Sequence, residues 1–406
     1  MQVQGRTVVQ MMFTKYYEKF SRIIYVERID AREIGIVPFS GSMSRHMWFK
    51  EISSFRKFLR EETPLHCYYS VAYYRDPSAR MGEKGWIGAD LVFDIDADHI
   101  NAPCRPEHTP WRCKSCKEEG TKEVEACPVC GGEVDSRKWF CSSCIKAAAK
   151  EAVKVIDVLR EDFGLDDIRV SFSGNRGFHI RAVSDEILQL GGHERREIGA
   201  YVMGEGVEIF GKRGIIQHIR NVRGGAWVRM PTVRDGGWKR RIAEYLLRAI
   251  EEGEIFHGVG EELKRNLKLA LSGEAKPHML VGTKALRRII KLAERGLAEL
   301  GGKIDIVVTE DIHRLIRVVN SLHGGTGFRV VPLLEAEVAS FDPFSQAVVP
   351  FNEAVRIVVQ YPVPRFQLLK KSYGPYHSGE EVELPTHAAV YLILRGMAVE
   401  KRESIE

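Results

Sequence analysis

The sequence contains no apolar run approaching the ~20 residues that span a bilayer as a helix. Its opening stretch, MQVQGRTVVQMMFTKYYEKF, lacks the apolar core of a signal peptide. These absences argue against a helical membrane protein and lead us to expect a soluble, intracellular one. Asparagine and glutamine are scarce beside 60 lysines and arginines and 55 aspartates and glutamates, a balance met in thermophiles. There is no internal repeat beyond paired cysteines and no long low-complexity linker. Cysteine is nearly absent outside one stretch. Seven of the eight fall between Cys104 and Cys144, and the eighth, Cys67, sits alone among apolar residues, where it reads as a small buried hydrophobe. The net charge of +5 permits a nucleic-acid or nucleotide partner without demanding one. What is present is ordinary globular composition, 406 residues at 44% hydrophobic, enough for a sizeable core and more than one domain.

Two stretches carry chemistry. In LVFDIDADH, Leu91, Phe93 and Ile95 alternate with Val92, Asp94 and Asp96. Period two predicts a strand with Asp94 and Asp96 on one face, and leaves Asp98 and His99 in the loop beyond. Two carboxylates at that spacing either mark a solvated strand end or grip a divalent cation, for which hard oxygen ligands suit Mg2+ or Mn2+. A two-metal site wants a third acid from another strand. Asp305, flanked by apolar residues in KIDIVVT, reads as that acid, with Thr309 capping a helix that starts there. The second stretch is Ser173-Gly174-Asn175-Arg176-Gly177-Phe178-His179, set between two alternating segments, and predicts a strand, turn and strand. Its glycines let the backbone approach a ligand, and Ser173, Arg176 and His179 supply donors for phosphate oxygens. A plain hairpin with its polar side chains in water fits the same letters.

Apolar positions 145, 149, 153, 156, 159 and 163 predict an amphipathic helix that stops at Gly164. Residues 101–144 read as a small metal-stapled insertion, because paired C-x2-C knuckles in an intracellular chain favour zinc over disulfides. Residues 187–300 read as mostly helical and charged.

Taken together, the D-I-D strand end, the S-G-x-R-G-x-H turn and the later acid resemble, in order and approximate spacing, the small catalytic subunit of the archaeal-eukaryotic DNA primases. The resemblance runs from about Glu33 to His323. It implies an α/β catalytic core in which Asp94, Asp96 and Asp305 hold two catalytic metals and Ser173, Arg176 and His179 bind the triphosphate. It further implies that Arg317 and His323 face the nucleotide and that Glu33 and Arg45 line the active site. Asn175 stands where some relatives carry a second basic residue. The implied activity is synthesis of short RNA primers de novo on a single-stranded DNA template, with DNA primers left open. Nucleoside triphosphates are the implied substrates and a large regulatory subunit, carrier of an iron–sulfur cluster, the implied partner. A primer-extending repair or plasmid polymerase of the same fold, or a non-catalytic zinc-ribbon nucleic-acid-binding protein, are the alternatives.

Such primases carry a zinc knuckle after the acidic strand whose last C-x-x-C leads into a long helix. That resemblance assigns Cys104, His108, Cys141 and Cys144 to one zinc, with a ribbon of Cys113, Cys116, Cys127 and Cys130 inserted inside it for a second. A sequential pairing, with Cys104, His108, Cys113 and Cys116 in one site and the last four cysteines in the other, stays open. The expected domains are a discontinuous catalytic one (1–100, 145–186 and 301–345), a zinc module (101–144), a helical insertion (187–300) and a C-terminal segment (346–406) packing on the core.

Overall fold

The computed structural model describes residues 7–100, 102, 104–253 and 260–401. The ends of the expected ranges, 1–6 and 402–406, and residues 101, 103 and 254–259 lie outside the described residues. The chain divides into two compact units. The first takes residues up to Val153, Asp167–Gly192 and the chain from Val307 onward; the second takes Lys154–Asp166 and His193–Ile306.

The first unit is built on two four-stranded antiparallel sheets. One has the order Leu315–Arg317, His66–Ser70, Ile34–Val37, Ser44–Met47. The other runs Val331–Leu333, Ile168–Phe172, Gly177–Ala182, Leu91–Asp96. In the second sheet the register sets Ile95 against Phe178 and Phe93 against Ile180, and all four are fully buried. The alternate positions turn the other way, so Asp94 falls opposite His179 and Asp96 opposite Gly177. The period-two pattern has thus put apolar side chains into the core and the acids onto the open face. Gly177 is required there, because a Cβ at that position would stand 2.0 Å from the carbonyl oxygen of Ile95.

Behind the site a buried ion pair ties the two sheets. Arg32, which precedes the strand Ile34–Val37, donates to Asp90, which precedes Leu91–Asp96, at 2.7 Å. Arg181 shares the same carboxylate at 2.9 Å. Leaving either arginine unpaired in that interior would be costly, which fixes how the strands meet. Thr7 and Gln10 form a capping box that starts the helix Val8–Phe20. Its buried face shares a core with Val390 of the C-terminal helix Thr386–Leu394.

The helix expected over 145–163 is found as Ser142–Glu161. Cys67 is buried, as its apolar setting suggested. One expectation needs correction. The stretch around Asp305 is not a strand: 302–305 are irregular and Ile306–Glu310 is a helix, with Thr309 buried inside it rather than capping it. Ile304, Ile306, Val307 and Val308 have strand propensity, but among the described residues no strand pairs with them, and Val308 packs into the core from a helical turn. Tertiary context overrides propensity here. The segment 187–300 is mostly helical, as expected, and also carries a sheet. Its helices Gly237–Glu251, Glu261–Leu271 and Thr283–Leu300 pack on a four-stranded sheet of Phe210–Gly211, Ile216–Val222, Gly225–Arg229 and His278–Gly282. A register shift between His218 and Arg220 breaks the period two of its longest strand.

Among the described residues no helix is long and apolar enough to cross a membrane.

Candidate active site

The strand carrying the acids and the turn carrying Ser173, Arg176 and His179 are neighbours in one sheet, so their side chains converge. A cavity of about 280 Å3 is lined by Asp94, Asp96, Ser173, Asn175, Arg176, His179, Arg317 and His323, together with Tyr68 and Arg314. Gly174 turns the chain with φ +84°, a left-handed conformation suited to glycine. The Ser173 hydroxyl accepts from the Gly177 N–H at 3.3 Å, and the Thr326 hydroxyl donates to the Gly174 carbonyl at 2.6 Å. The turn is therefore held from inside and from the later loop that also bears His323.

Arg176 donates through Nε to both oxygens of Asp96, at 2.7 and 2.9 Å, and its Nη1 lies 2.7 Å from Asp98. Asp98 itself sits in the short turn Ala97–His99, as expected of a loop residue, with its N–H donating to Asp96. His179 Nε2 is 3.8 Å from Asp94. Across the cavity, Arg317 lies over the Tyr68 ring at 4.9 Å and its Nη1 is 2.7 Å from His66 Nδ1. Three arginines against two lining aspartates leave the cavity with surplus positive charge, which suits a phosphate chain.

His66, Arg314 and Tyr68 escaped the sequence reading. Tyr68 and His66 lie on the strand His66–Ser70, and only the pairing of that strand with Leu315–Arg317 brings them here. Arg314, three residues before Arg317 in HRLIR, becomes readable once that segment is known to be a strand end.

Glu33 and Arg45 do not line the cavity. They pair with each other instead, Arg45 Nε donating to Glu33 at 2.9 Å, with Lys84 3.3 Å from the same carboxylate. Glu33 is fully buried. Burial alone would raise its pKa, but the Arg45 hydrogen bond, the His46 N–H and the Lys84 charge hold it below the usual value. Asp305 also is not among the lining residues. It belongs to the irregular stretch before Ile306–Glu310, three residues ahead of Val308, which does line the cavity.

The histidines are neutral. Burial, and then the Arg317 charge, holds His66 down to about 4 and His179 to about 3, and depresses His323 well below its ordinary value. The Gly325 N–H donates to His323 Nδ1 at 2.9 Å, so the proton of the neutral ring sits on Nε2, a donor. The unfolded chain protonates near ~6.5, before the folded one. Stability is therefore complete above about pH 6.5 and declines as pH falls toward these folded values, by at most about 1.4 kcal/mol per pH unit per histidine. Melting temperature should drop between pH 7.5 and 5, less steeply in His66→Gln. A slope unchanged by that substitution would contradict the assignment.

A second set of side chains converges beside the site. Cys104, His108, Cys141 and Cys144 form one group and Cys113, Cys116, Cys127 and Cys130 another, the ligand atoms of each within 4.8 Å of one another. Cys104 and Cys144 sulfurs are 3.4 Å apart, Cys113 and Cys130 3.5 Å, and His108 Nε2 is 3.7 Å from Cys144. A tetrahedral ion with bonds of ~2.3 Å needs sulfurs about 3.8 Å apart, so both groups could hold a metal ion. The Cys144 hydrogen bond, and then His108, lower the Cys141 thiol at the expense of Cys144, which is raised. Such thiolate character suits a metal ligand.

Paired carboxylates facing basic side chains in one cavity suit the class of enzymes that transfer phosphoryl or nucleotidyl groups. Comparison with known proteins gives the family. The family described as DNA primase small subunit matches residues 133–334. The DNA primase small subunit PriS of Cenarchaeum symbiosum is 34% identical over 387 residues, covering 94% of this chain and 95% of that protein. That of Nitrosopumilus maritimus is 31% identical over 396 residues, covering 96% and 97%. That of Methanococcoides burtonii is 32% identical over 425 residues, covering 98% and 99%. The chain belongs to the DNA primase small-subunit family, the catalytic subunits of archaeal-eukaryotic primases.

Proposed function

We propose that this chain makes short RNA primers de novo on single-stranded DNA, joining nucleoside triphosphates with release of pyrophosphate, and the assay below also tests deoxynucleotides. The observation that supports this most directly is the register of the acidic strand on the phosphate turn: Asp94 lies opposite His179, and Asp96 is held by Arg176. The reaction is in-line attack of a 3′-hydroxyl on the α-phosphorus of the incoming nucleotide.

Asp94 and Asp96 are two carboxylates on one open strand face, a donor set that fits hard divalent ions. With Asp305 as third carboxylate they would hold Mg2+ or Mn2+, which supply activation of the hydroxyl and charge neutralisation on the phosphates. Arg176, His179 and Arg317 bind the triphosphate, with the Ser173 turn shaping its path. The His323 Nε2 proton is available to a sugar or phosphate oxygen. Glu33 and Arg45 are proposed to brace the site's edge through their ion pair. The two cysteine groups are proposed to be structural zinc sites, supported by their sulfur spacing. A large regulatory subunit is the proposed partner, and that role belongs inside the cell, with the chromosome or a plasmid.

The test is an unprimed-template assay with each nucleotide type, with and without the large subunit. Primers made from single nucleotides are expected. Extension of a supplied primer with no product on unprimed template would reassign the chain to a primer-extending polymerase. Arg176→Ala and His179→Ala should raise the KM for nucleotide about tenfold or more, since each loses a contact to phosphate. Template affinity should change little. If template affinity falls and nucleotide affinity holds, the turn binds the strand instead.

A further inference from the structure

The phosphate turn carries a neutral residue, Asn175, at a position that lines the cavity. A guanidinium reaches that position from 220 residues away. Arg395, in the turn after the helix Thr386–Leu394, donates through Nη1 to the Asn175 side-chain oxygen at 3.3 Å and through Nη2 to the Lys138 carbonyl. Its guanidinium lies over the Phe140 ring at 5.3 Å, and Arg176 lies at the same distance from that ring. Phe140 therefore holds two cations beside the turn. The Arg395 Nε is buried and has no hydrogen-bond partner. Lys138 lies 2.8 Å from Asp98, which Arg176 also contacts. Arg176, Lys138 and Arg395 thus gather beside two acids, Asp96 and Asp98, with an excess of one positive charge. Burial, and among its neighbours the Arg176 charge, lowers the Arg395 pKa, as expected of cations crowded together without enough counter-charge.

The strand orders these groups. Asp94, opposite His179, lies at one end; Asp96, opposite Gly177, comes next; Asp98 follows beyond the sheet. Asp94 and Asp96 would hold the catalytic ions, and Arg176 spans from Asp96 to Asp98, so a phosphate chain bound by Arg176 lies within reach of the cluster around Asp98 and Asn175. We propose that Arg395, with Lys138, extends the turn into a site for the terminal phosphate of the incoming nucleoside triphosphate, providing the cationic charge that Asn175 lacks. Its ligand class is a triphosphate, and the extension favours triphosphates over diphosphates. Arg395 acts as a positioning residue and takes no part in bond making. This rests on the triphosphate reading of the turn given above.

The experiment compares the full-length wild-type chain with Arg395→Ala, Arg395→Gln, Arg395→Lys and the pair Asn175→Arg with Arg395→Ala. Each is assayed with Mg2+ for binding of a nucleoside triphosphate and the matching diphosphate, and for KM and kcat in primer extension. Arg395→Gln keeps a side chain over Phe140 and guards against a folding defect in the alanine variant, and melting temperatures are recorded for all. The alanine and glutamine variants should raise the triphosphate KM about tenfold, leave kcat within about twofold, and leave diphosphate affinity unchanged. Arg395→Lys should recover part of the loss, and Asn175→Arg most of it, by returning the charge to the turn. Equal weakening of triphosphate and diphosphate, an unchanged KM, or a loss confined to kcat would overturn the proposal. Arg176→Ala separates the two readings. If it too leaves triphosphate affinity unchanged, the phosphate reading of the turn fails and this proposal with it. If it weakens binding while the Arg395 variants do not, only this proposal fails.

Discussion

Asp96→Ala should abolish nucleotide incorporation while leaving the fold intact. The carboxylate sits at the end of a strand whose hydrogen-bonded partner, Gly177–Ala182, and whose buried residues Phe93 and Ile95 are untouched by the change. What the fold loses is a partly exposed ion pair with Arg176, which keeps Asp98 as a partner, so the cost should be about 1 kcal/mol. What the reaction loses is a ligand that removes charge from the phosphates, and incorporation should fall on the order of a thousandfold or more. Asp94→Ala should behave alike. Asp98→Ala should do far less, because Asp98 sits among Arg176 and Lys138 in the loop beyond the sheet and leaves the paired acids in place. Asp305→Ala is the informative member of the set: a loss equal to that of Asp96→Ala supports it as third carboxylate. Incorporation in Mg2+ and in Mn2+, with melting temperature as the control, measures all four. Near-normal synthesis by Asp96→Ala would overturn the metal assignment.

The second large effect concerns zinc. Two cysteine groups of four ligands each predict two zinc ions per purified chain. Cys141→Ser should lower stability and activity together. Cys141 immediately precedes the helix Ser142–Glu161 and follows Trp139 and Phe140. Trp139 packs on Phe366 and Tyr391, and Phe140 faces Arg176. Structural zinc contributes on the order of 10 kcal/mol to the folding of small domains, so loss of one ligand should cost several. Cys127→Ser should mainly loosen the ribbon. It strips the small core of Trp111, Cys113 and Cys127 and weakens the ribbon's contacts with the C-terminal segment, where Arg137 lies 4.2 Å over Tyr361 and His377 is 3.2 Å from Glu119. Its effect on incorporation should be small beside that of Cys141→Ser. Metal analysis settles the count. A value near one zinc per chain, or equal catalytic damage from the two substitutions, would refute the nested pairing.

The amino-acid sequence by itself determined the parts whose signal lies within a few consecutive residues. Alternation in LVFDID put Asp94 and Asp96 on one face, because a pleated strand has period two whatever surrounds it. Alternation on both sides of the glycine-bearing turn likewise set the neighbouring hairpin, and apolar steps of three and four set the helix Ser142–Glu161. Tertiary structure decided everything that depends on a distant partner. The β-branched residues after Asp305 would pair as a strand if an edge were offered; without one they form the helix Ile306–Glu310. Glu33 looks like any surface acid until Arg45 and Lys84 close over it. His66 meets Arg317 across 251 residues and Arg395 meets Asn175 across 220, separations over which local sequence carries no information. Candidate ligands and donors could be picked out by residue type, but which cations crowd the Ser173–His179 turn is set by packing. A charge is felt through space, and only the fold places it there.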